Sequence, residues 1–507
     1  ELRSPPQEVW SLGTAATVRF LKSVHAAAET RRLDLSGMGL LSVLTIGTTI
    51  PSLLELQLWN NRIKELPKEM KYLVTLHELS VVDNELEQLG AEVGSMSSLT
   101  SLKLSKNMLT ILPTEIGMLV NLVVLKIEKN QLTALPSSIG YCCKLKELWL
   151  SDNQIASMPV VIESMTRLEV LKLIGNQLKE IPKQIGAITS LRELHLAENN
   201  LQTVPPEIGN LKNLEKLLLS RNDIFRMPIE VGLCTRLHAL YLDNNPNMIT
   251  PPKQIANKGT YGIIQYLLRL VESRATCRLD LAQQELDSVP LEVCELDMLD
   301  TLILHENGLP SLRKEIGNMT NLTLLSLTGN YLAELPATVS NLTKLKELTI
   351  TGNELRQLPA ELGCVTSLEK VNVDADNEHL RNPPPEIVKE GAAAIVEYLK
   401  EMYQARFTRE VDMSQMALQM IPLQLCQIRG LTKLNLSDNL LKMLPMSIEQ
   451  MTEVTELNVS MNRLLVLPPA ISRMENLREL KLDHNKLRSV PAVLVLLTNL
   501  KKLSLID

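Results

Sequence analysis

The sequence predicts an α/β solenoid of short parallel strands, and three observations carry that prediction. An Asn recurs every 23 residues, at positions 61, 84, 107, 130, 153, 176, 199, 222 and 245. Each follows two apolar residues spaced by two, as Leu102 and Leu104 precede Asn107. The chain has 507 residues and only 3% aromatics. That length exceeds what one compact core supports, and an aliphatic interior at a fixed short period marks stacked units.

Each position of the repeat has its own physical reason. The stretch Leu99 to Pro113 reads LxxLxLxxNxLxxLP. Leu102 and Leu104 point to one face of a short strand, because side chains alternate across a strand. Asn107 stands where the chain turns, and stacked Asn side chains can form a ladder that satisfies buried backbone groups. The Leu-Pro step and the Ile-Gly segment return the chain along the outer face, where a proline costs no ladder N–H. One repeat cannot bury its own apolar side, so stacking closes the core.

The spacing fails twice. Gln284 lies 39 residues beyond Asn245 and is followed at the regular step by Asn307, Asn330, Asn353 and Asp376. Another 40 residues separate Asp376 from Met416, which leads to Asn439, Asn462 and Asn485. One step before Asn61 stands Met38, a degenerate first position. The breaks share a pattern: Pro251-Pro252 with Gly259 and Tyr266-Leu267, and Pro384-Pro385 with Gly391 and Tyr398-Leu399. Ile263, Leu267 and Leu270, like Ile395, Leu399 and Met402, lie on one helical face. Pro5-Pro6, Val9, Gly13 and Phe20-Leu21 follow the same module.

The expected division is therefore a helical insert at 1–29 closing an earlier repeat block, and a first block at 30–250. An insert at 251–275, a second block at 276–382, an insert at 383–408 and a truncated third block at 409–507 complete it. The chain reads as a fragment.

The LPxxIGxLxxL pattern resembles the Ras-group, Shoc-type class of intracellular leucine-rich repeats. The proline–glycine–Tyr-Leu module resembles the segment that closes repeat blocks in Roco-type proteins. The resemblance implies a leucine-rich repeat solenoid interrupted by helical inserts, in the cytoplasm. It also implies a protein partner, with a small GTPase or a phosphatase among the candidates.

Composition narrows the function. Net charge is −6, from 52 basic and 58 acidic residues, which gives no footprint for nucleic acid. No apolar run reaches the length of a membrane span. The seven cysteines, Cys142, Cys143, Cys234, Cys277, Cys294, Cys364 and Cys426, form no CxxC pair. Most fall in small apolar slots, and their odd number points to a reducing compartment. Phosphate-loop, HExxH and GxSxG motifs are absent, and the seven His are scattered, so no enzyme, cofactor or metal site is expected. Val18-Arg19-Phe20 has the form of a phosphatase-docking VxF, but it coincides with Ile264-Gln265-Tyr266 of the insert, which favours core packing.

The informative surface is the concave strand face. Its central column runs Gln57, Ser80, Lys103, Lys126, Trp149, Lys172, His195, Leu218 and Tyr241, with Trp59 one strand position over. Trp and Tyr anchor interfaces, so Trp59, Lys103, Lys126, Trp149, Lys172, His195 and Tyr241 are the expected protein-binding residues. The competing reading is that a concave Trp packs on neighbouring lysine stems. Glu55, Glu78, Glu147 and Glu193 flank the column, a mixed-sign face suited to a protein. The expected function is a non-catalytic scaffold in signalling or complex assembly. A regulatory arm of a larger GTPase or kinase, and a structural subunit of a large assembly, are the alternatives.

Overall fold

A computed structural model describes residues 5–43, 50, 52–374 and 380–506. The chain divides into two compact units, Glu1–Val271 and Glu272–Asp507.

In the first unit, helices α1 (Gln7–Ser11) and α2 (Thr14–Thr30) precede ten three-residue strands, β1 (Arg32–Asp34) to β10 (Ala239–Tyr241). These form one parallel sheet in sequential order. Each residue pairs with the one 23 places on, as Lys126 pairs with Trp149. The central strand leucines, among them Leu102, Leu125 and Leu148, have no exposed surface. Burying each contributes about 2 kcal/mol. Between strands the chain returns through five-residue 3-10 turns such as Thr114–Met118, which follows the extended Pro113.

The Asn ladder is present and its bonds are regular. Asn153 Oδ1 accepts from Leu132 N at 3.0 Å, one repeat back. Its Nδ2 donates to Ile127 O of the preceding repeat and Leu150 O of its own, each at 2.9 Å. Where a sheet begins, the slot holds another residue. Met38, Gln284 and Met416 each donate their backbone N–H to the first true ladder residue, Asn61, Asn307 or Asn439. Asp376 lies outside the described residues.

One conformational rule escaped the sequence reading. The residue before each ladder Asn is left-handed, as at Lys106 (φ 58°), Lys129 (φ 55°) and Asp152 (φ 56°). Such a φ costs about 1–2 kcal/mol for a residue other than glycine. The N–H of Lys129 nevertheless gains Ser151 O of the next repeat at 2.9 Å. Gly175, Gly329 and Gly352 in that slot were the available signal.

The ten-stranded sheet is followed by α3 (Lys253–Ala256) and α4 (Gly259–Thr276). Within the first unit, Ile263, Leu267 and Leu270 of α4 are buried, the face that the spacing marked. The helix lies directly on the last 3-10 turn, Ile229–Leu233. A Cβ on Gly232 would stand 2.6 Å from Leu267 C and 2.7 Å from Leu268 Cα.

The second unit holds two five-stranded parallel sheets, β11 (Arg278–Asp280) to β15 (Lys370–Asn372) and β16 (Glu410–Asp412) to β20 (Lys502–Ser504). Each also contains a short helix, α5 (Leu291–Cys294) in the former and α8 (Leu423–Cys426) in the latter. Between the sheets lie α6 (Pro385–Glu390) and α7 (Ala392–Thr408). Helix α7 covers the turn Ala360–Cys364 and buries Ile395, Leu399 and Met402. Buried Tyr398 donates its hydroxyl to Asn382 Oδ1 at 2.6 Å.

The prolines shift by one place relative to the sequence alignment. Met227 N donates to Thr250 O, and Leu358 N donates to Asn382 O in the same way. Pro251 therefore matches Pro383, not Pro384.

Candidate functional site

The concave face of the first unit is built by the sheet register. Lys103, Lys126, Trp149, Lys172 and His195 are successive Cα partners on β4 to β8 (Ser101–Lys103 to Glu193–His195). His195 pairs in turn with Leu218, and Leu218 with Tyr241. One continuous row therefore holds six of the seven expected residues, and Trp59 stands beside it.

The row does not present its aromatics evenly. Trp59 and Tyr241 are 47% and 52% exposed. Trp149 is half-covered, because lysine ammoniums lie over its ring from both neighbouring strands. Lys126 Nζ is 3.2 Å from the ring centroid and Lys172 Nζ is 3.6 Å away. The negative face of the indole attracts each cation. Its N–H is enclosed and has no hydrogen-bond acceptor among the described residues.

Most of the cations are already balanced. Lys103 bonds Glu78 at 2.7 Å and holds that carboxyl below its usual range. Lys126 is 3.5 Å from Glu147. Lys216 bonds Glu193 at 2.8 Å and likewise depresses it. Lys172 has no carboxylate at ion-pair distance among the described residues. Its ammonium rests on the Trp149 ring, and its charge acts on Glu128 and Glu193 from beyond ion-pair distance.

Burial pushes the His195 pKa below its ordinary value, while Glu193, whose Oε2 is 3.2 Å from His195 Nε2, pulls it up and Lys172 pushes it down. The folded site thus binds a proton more weakly than the unfolded chain. The stability that His195 contributes is present above its unfolded pKa and is lost as pH falls from about 6.5. Urea midpoints measured down to pH 5 are expected to fall less in His195→Gln than in the native chain. Parallel profiles would exclude the effect.

The thiols are free, with Cys142, Cys234, Cys294 and Cys426 buried. Burial pushes Cys142 and Cys234 up to about 11, which keeps them protonated and inert. Phe20 of the VxF stretch is 5% exposed and belongs to the core. Among the described residues, no group of three His, Cys, Asp or Glu is placed to hold a metal. No helix there is long and apolar enough to cross a membrane.

The sequence reading passed over the last sheet of the second unit. Its concave face and the end of α7 line a cavity of about 420 Å³ with Glu401, Asp412, Lys433, Asn435, Asn458 and Glu479 on its walls. Burial raises the Asp412 pKa, but hydrogen bonds from Ser414 and Asn435 outweigh it and hold the carboxyl low. The signal was available in the polar residues at the first and third strand positions, but only the register brings them together.

Consecutive parallel strands, a buried Asn ladder and 3-10 returns define a solenoid of leucine-rich units. The family described as leucine-rich repeat region matches residues 92–200, and the leucine rich repeat family matches 186–246, 429–487 and 452–506. These stretches match leucine-rich repeat families, and the fold is that of a leucine-rich repeat solenoid.

Among solved structures, a leucine-rich repeat protein of Leptospira interrogans is 27% identical. That match covers 95% of this chain and 97% of the other, with a TM-score of 0.43. YopM of Yersinia enterocolitica is 20% identical over 100% of both chains, with a TM-score of 0.35. The ectodomain of a plant membrane receptor kinase of Arabidopsis thaliana, in complex with Casparian strip integrity factor 2, is 22% identical. It matches over 94% of this chain and 67% of its own, with a TM-score of 0.37. No curated protein matches the chain.

Proposed function

We propose that the chain is a non-catalytic scaffold that grips a protein partner on the concave face of its first unit. The observation that carries this reading is the uninterrupted row from Lys103 to Tyr241, flanked by Trp59. It offers two half-exposed aromatic anchors and, in Lys172, one cation without an ion pair among the described residues, on a rigid sheet. Interfaces draw most of their energy from a few such residues.

In this reading the seven residues do different work. Trp59 and Tyr241 supply apolar contact. Lys172 supplies charge to an acidic group of the partner. Trp149 holds Lys126 and Lys172 in place rather than meeting the partner with its own ring. Lys103 is balanced by Glu78, and His195 is partly enclosed, so these two shape the surface.

The Ras-group resemblance favours a cytoplasmic signalling role with a small GTPase or a phosphatase as partner. The seven free thiols support the reducing setting. Trp59→Ala combined with Lys172→Glu is expected to weaken capture of native partners by about a hundredfold, given two residues of hot-spot size. Unchanged capture, with the fold intact by circular dichroism, would remove this face from the function.

A further inference from the structure

One edge of the sheet β16–β20 carries an apolar strip that the repeat itself does not call for. After each ladder residue the chain leaves the concave face along this edge, and the repeats stay in step there. Leu440 N donates to Leu418 O, Arg463 N to Leu441 O and Lys486 N to Leu464 O, at 2.9, 2.9 and 3.0 Å. The fourth place after the ladder residue holds Met420, Met443 and Val466 in succession, which are 65%, 58% and 62% exposed. Leu465, beside Val466, and Met446, just past Pro445, are exposed too. In the sheet β11–β15 of the same unit that fourth place holds Ser288, Ser311, Glu334 and Gln357. The edge therefore folds with polar side chains. A further repeat follows Val466, so the exposure is not that of a stack end. Apolar side chains exposed in a row mark a surface that meets something.

The charges along the strip have one sign. From Ala417 to Ser489, the first, third and fourth places after the ladder residue include Lys442, Arg463, Lys486 and Arg488 and no acid. The ion pairs of this sheet are made by Lys433, Lys481 and Lys502 instead. Among the described residues, the four edge cations have no carboxylate at ion-pair distance. Glu386 of α6 bounds the strip where it begins, and there it accepts from Gln419 N at 2.9 Å.

We propose that this edge docks an amphipathic helix of a partner protein, with aliphatic side chains on Met420, Met443 and Val466 and carboxylates reaching Lys442, Arg463 and Lys486. Charge complementarity selects an acidic partner. The repeat step selects a helix. Segments hydrogen-bonded in register stand about 4.8 Å apart, and a helix advances about 5.4 Å per turn. Side chains at i, i+3 or i+4, and i+7 therefore fall on successive repeats. Methionine, unbranched and polarizable, adapts to such a stripe. The strip has no Trp, Tyr or Phe, the side chains that seat a protein at a lipid interface, which disfavours a membrane. The inference does not rest on the concave row of the first unit and stands or falls apart from it.

The test titrates the full chain into a fluorescent peptide of about 18 residues, five helical turns, with Leu along one face, Glu on both flanks and Ala elsewhere. Saturable binding by anisotropy is expected. Replacing every Glu of the peptide by Lys is expected to weaken it by about tenfold or more, and so are Met443→Asp and Arg463→Glu in the protein. Both side chains are exposed, so the variants keep the native circular dichroism. Absence of saturable binding, equal affinity for the Lys peptide, or undiminished binding by both variants overturns the inference. A native dimer that Met443→Asp dissociates gives the face to a second copy and overturns it equally. So does flotation with vesicles of phosphatidylserine and phosphatidylcholine that Arg463→Glu abolishes, which gives the face to a membrane.

Discussion

Gly363→Val is expected to destabilise the second unit by about 3 kcal/mol or more, the upper range for overpacking a close-packed contact. A Cβ at Gly363 would stand 2.5 Å from Lys400 Cα and 2.6 Å from Leu399 C. Both neighbours are helix backbone, so relief requires α7 to move as a body. Such a shift pulls Ile395, Leu399 and Met402 off the last turn of β11–β15 and strains the Tyr398–Asn382 hydrogen bond. Urea unfolding should show an earlier midpoint, and exchange of Ala392–Thr408 should rise before that of the first unit. An unchanged midpoint, with α7 still protected, would show that the helix is not locked by this contact.

Asn153→Leu is expected to cost the first unit about 1–3 kcal/mol, because the buried Leu132 N loses its acceptor and two buried carbonyls each lose one of two donors. The carbonyls are Ile127 O, which keeps Asn130 Nδ2, and Leu150 O, which keeps Asn176 Nδ2. Leucine fits the volume, so the loss isolates the hydrogen bonds from the packing. Asn121→Leu makes the contrast, since that half-buried Asn donates to Ser97 O, accepts from Lys144 Nζ and takes no part in the ladder. It should cost well under half as much. Equal midpoints for the two variants would sink the view that the ladder is a principal source of stability.

The spacing of Asn61 to Asn245 made the strands, their order and the buried leucines legible, because a fixed step in sequence becomes a fixed step in space when every bond reaches the next repeat. The spacing of Ile263, Leu267 and Leu270 did the same for the closing helix. Side-chain arbitration was not legible. Sequence placed Trp149 between Lys126 and Lys172 but left open whether the indole or the ammoniums would face outward. The structure answers through attraction between cation and ring, which covers the indole. The left-handed slot was obscured because Lys106, Lys129 and Asp152 fill it more often than glycine does. The cavity beside Glu401 depends on where α7 ends relative to β16, a tertiary distance that no periodicity encodes.

The 23-residue step also sets the grain at which such a molecule changes over evolutionary time. Loss or duplication of 23 residues inside the ten-stranded sheet returns every Asn to a waiting carbonyl. Loss of one residue puts a strand out of step with both neighbours. Whole repeats are therefore the natural currency of variation, while single-residue insertions are confined to the breaks. The concave row inherits this grain: its length changes by one side chain per repeat, so a lineage can lengthen or shorten its grip without redesigning what holds it up.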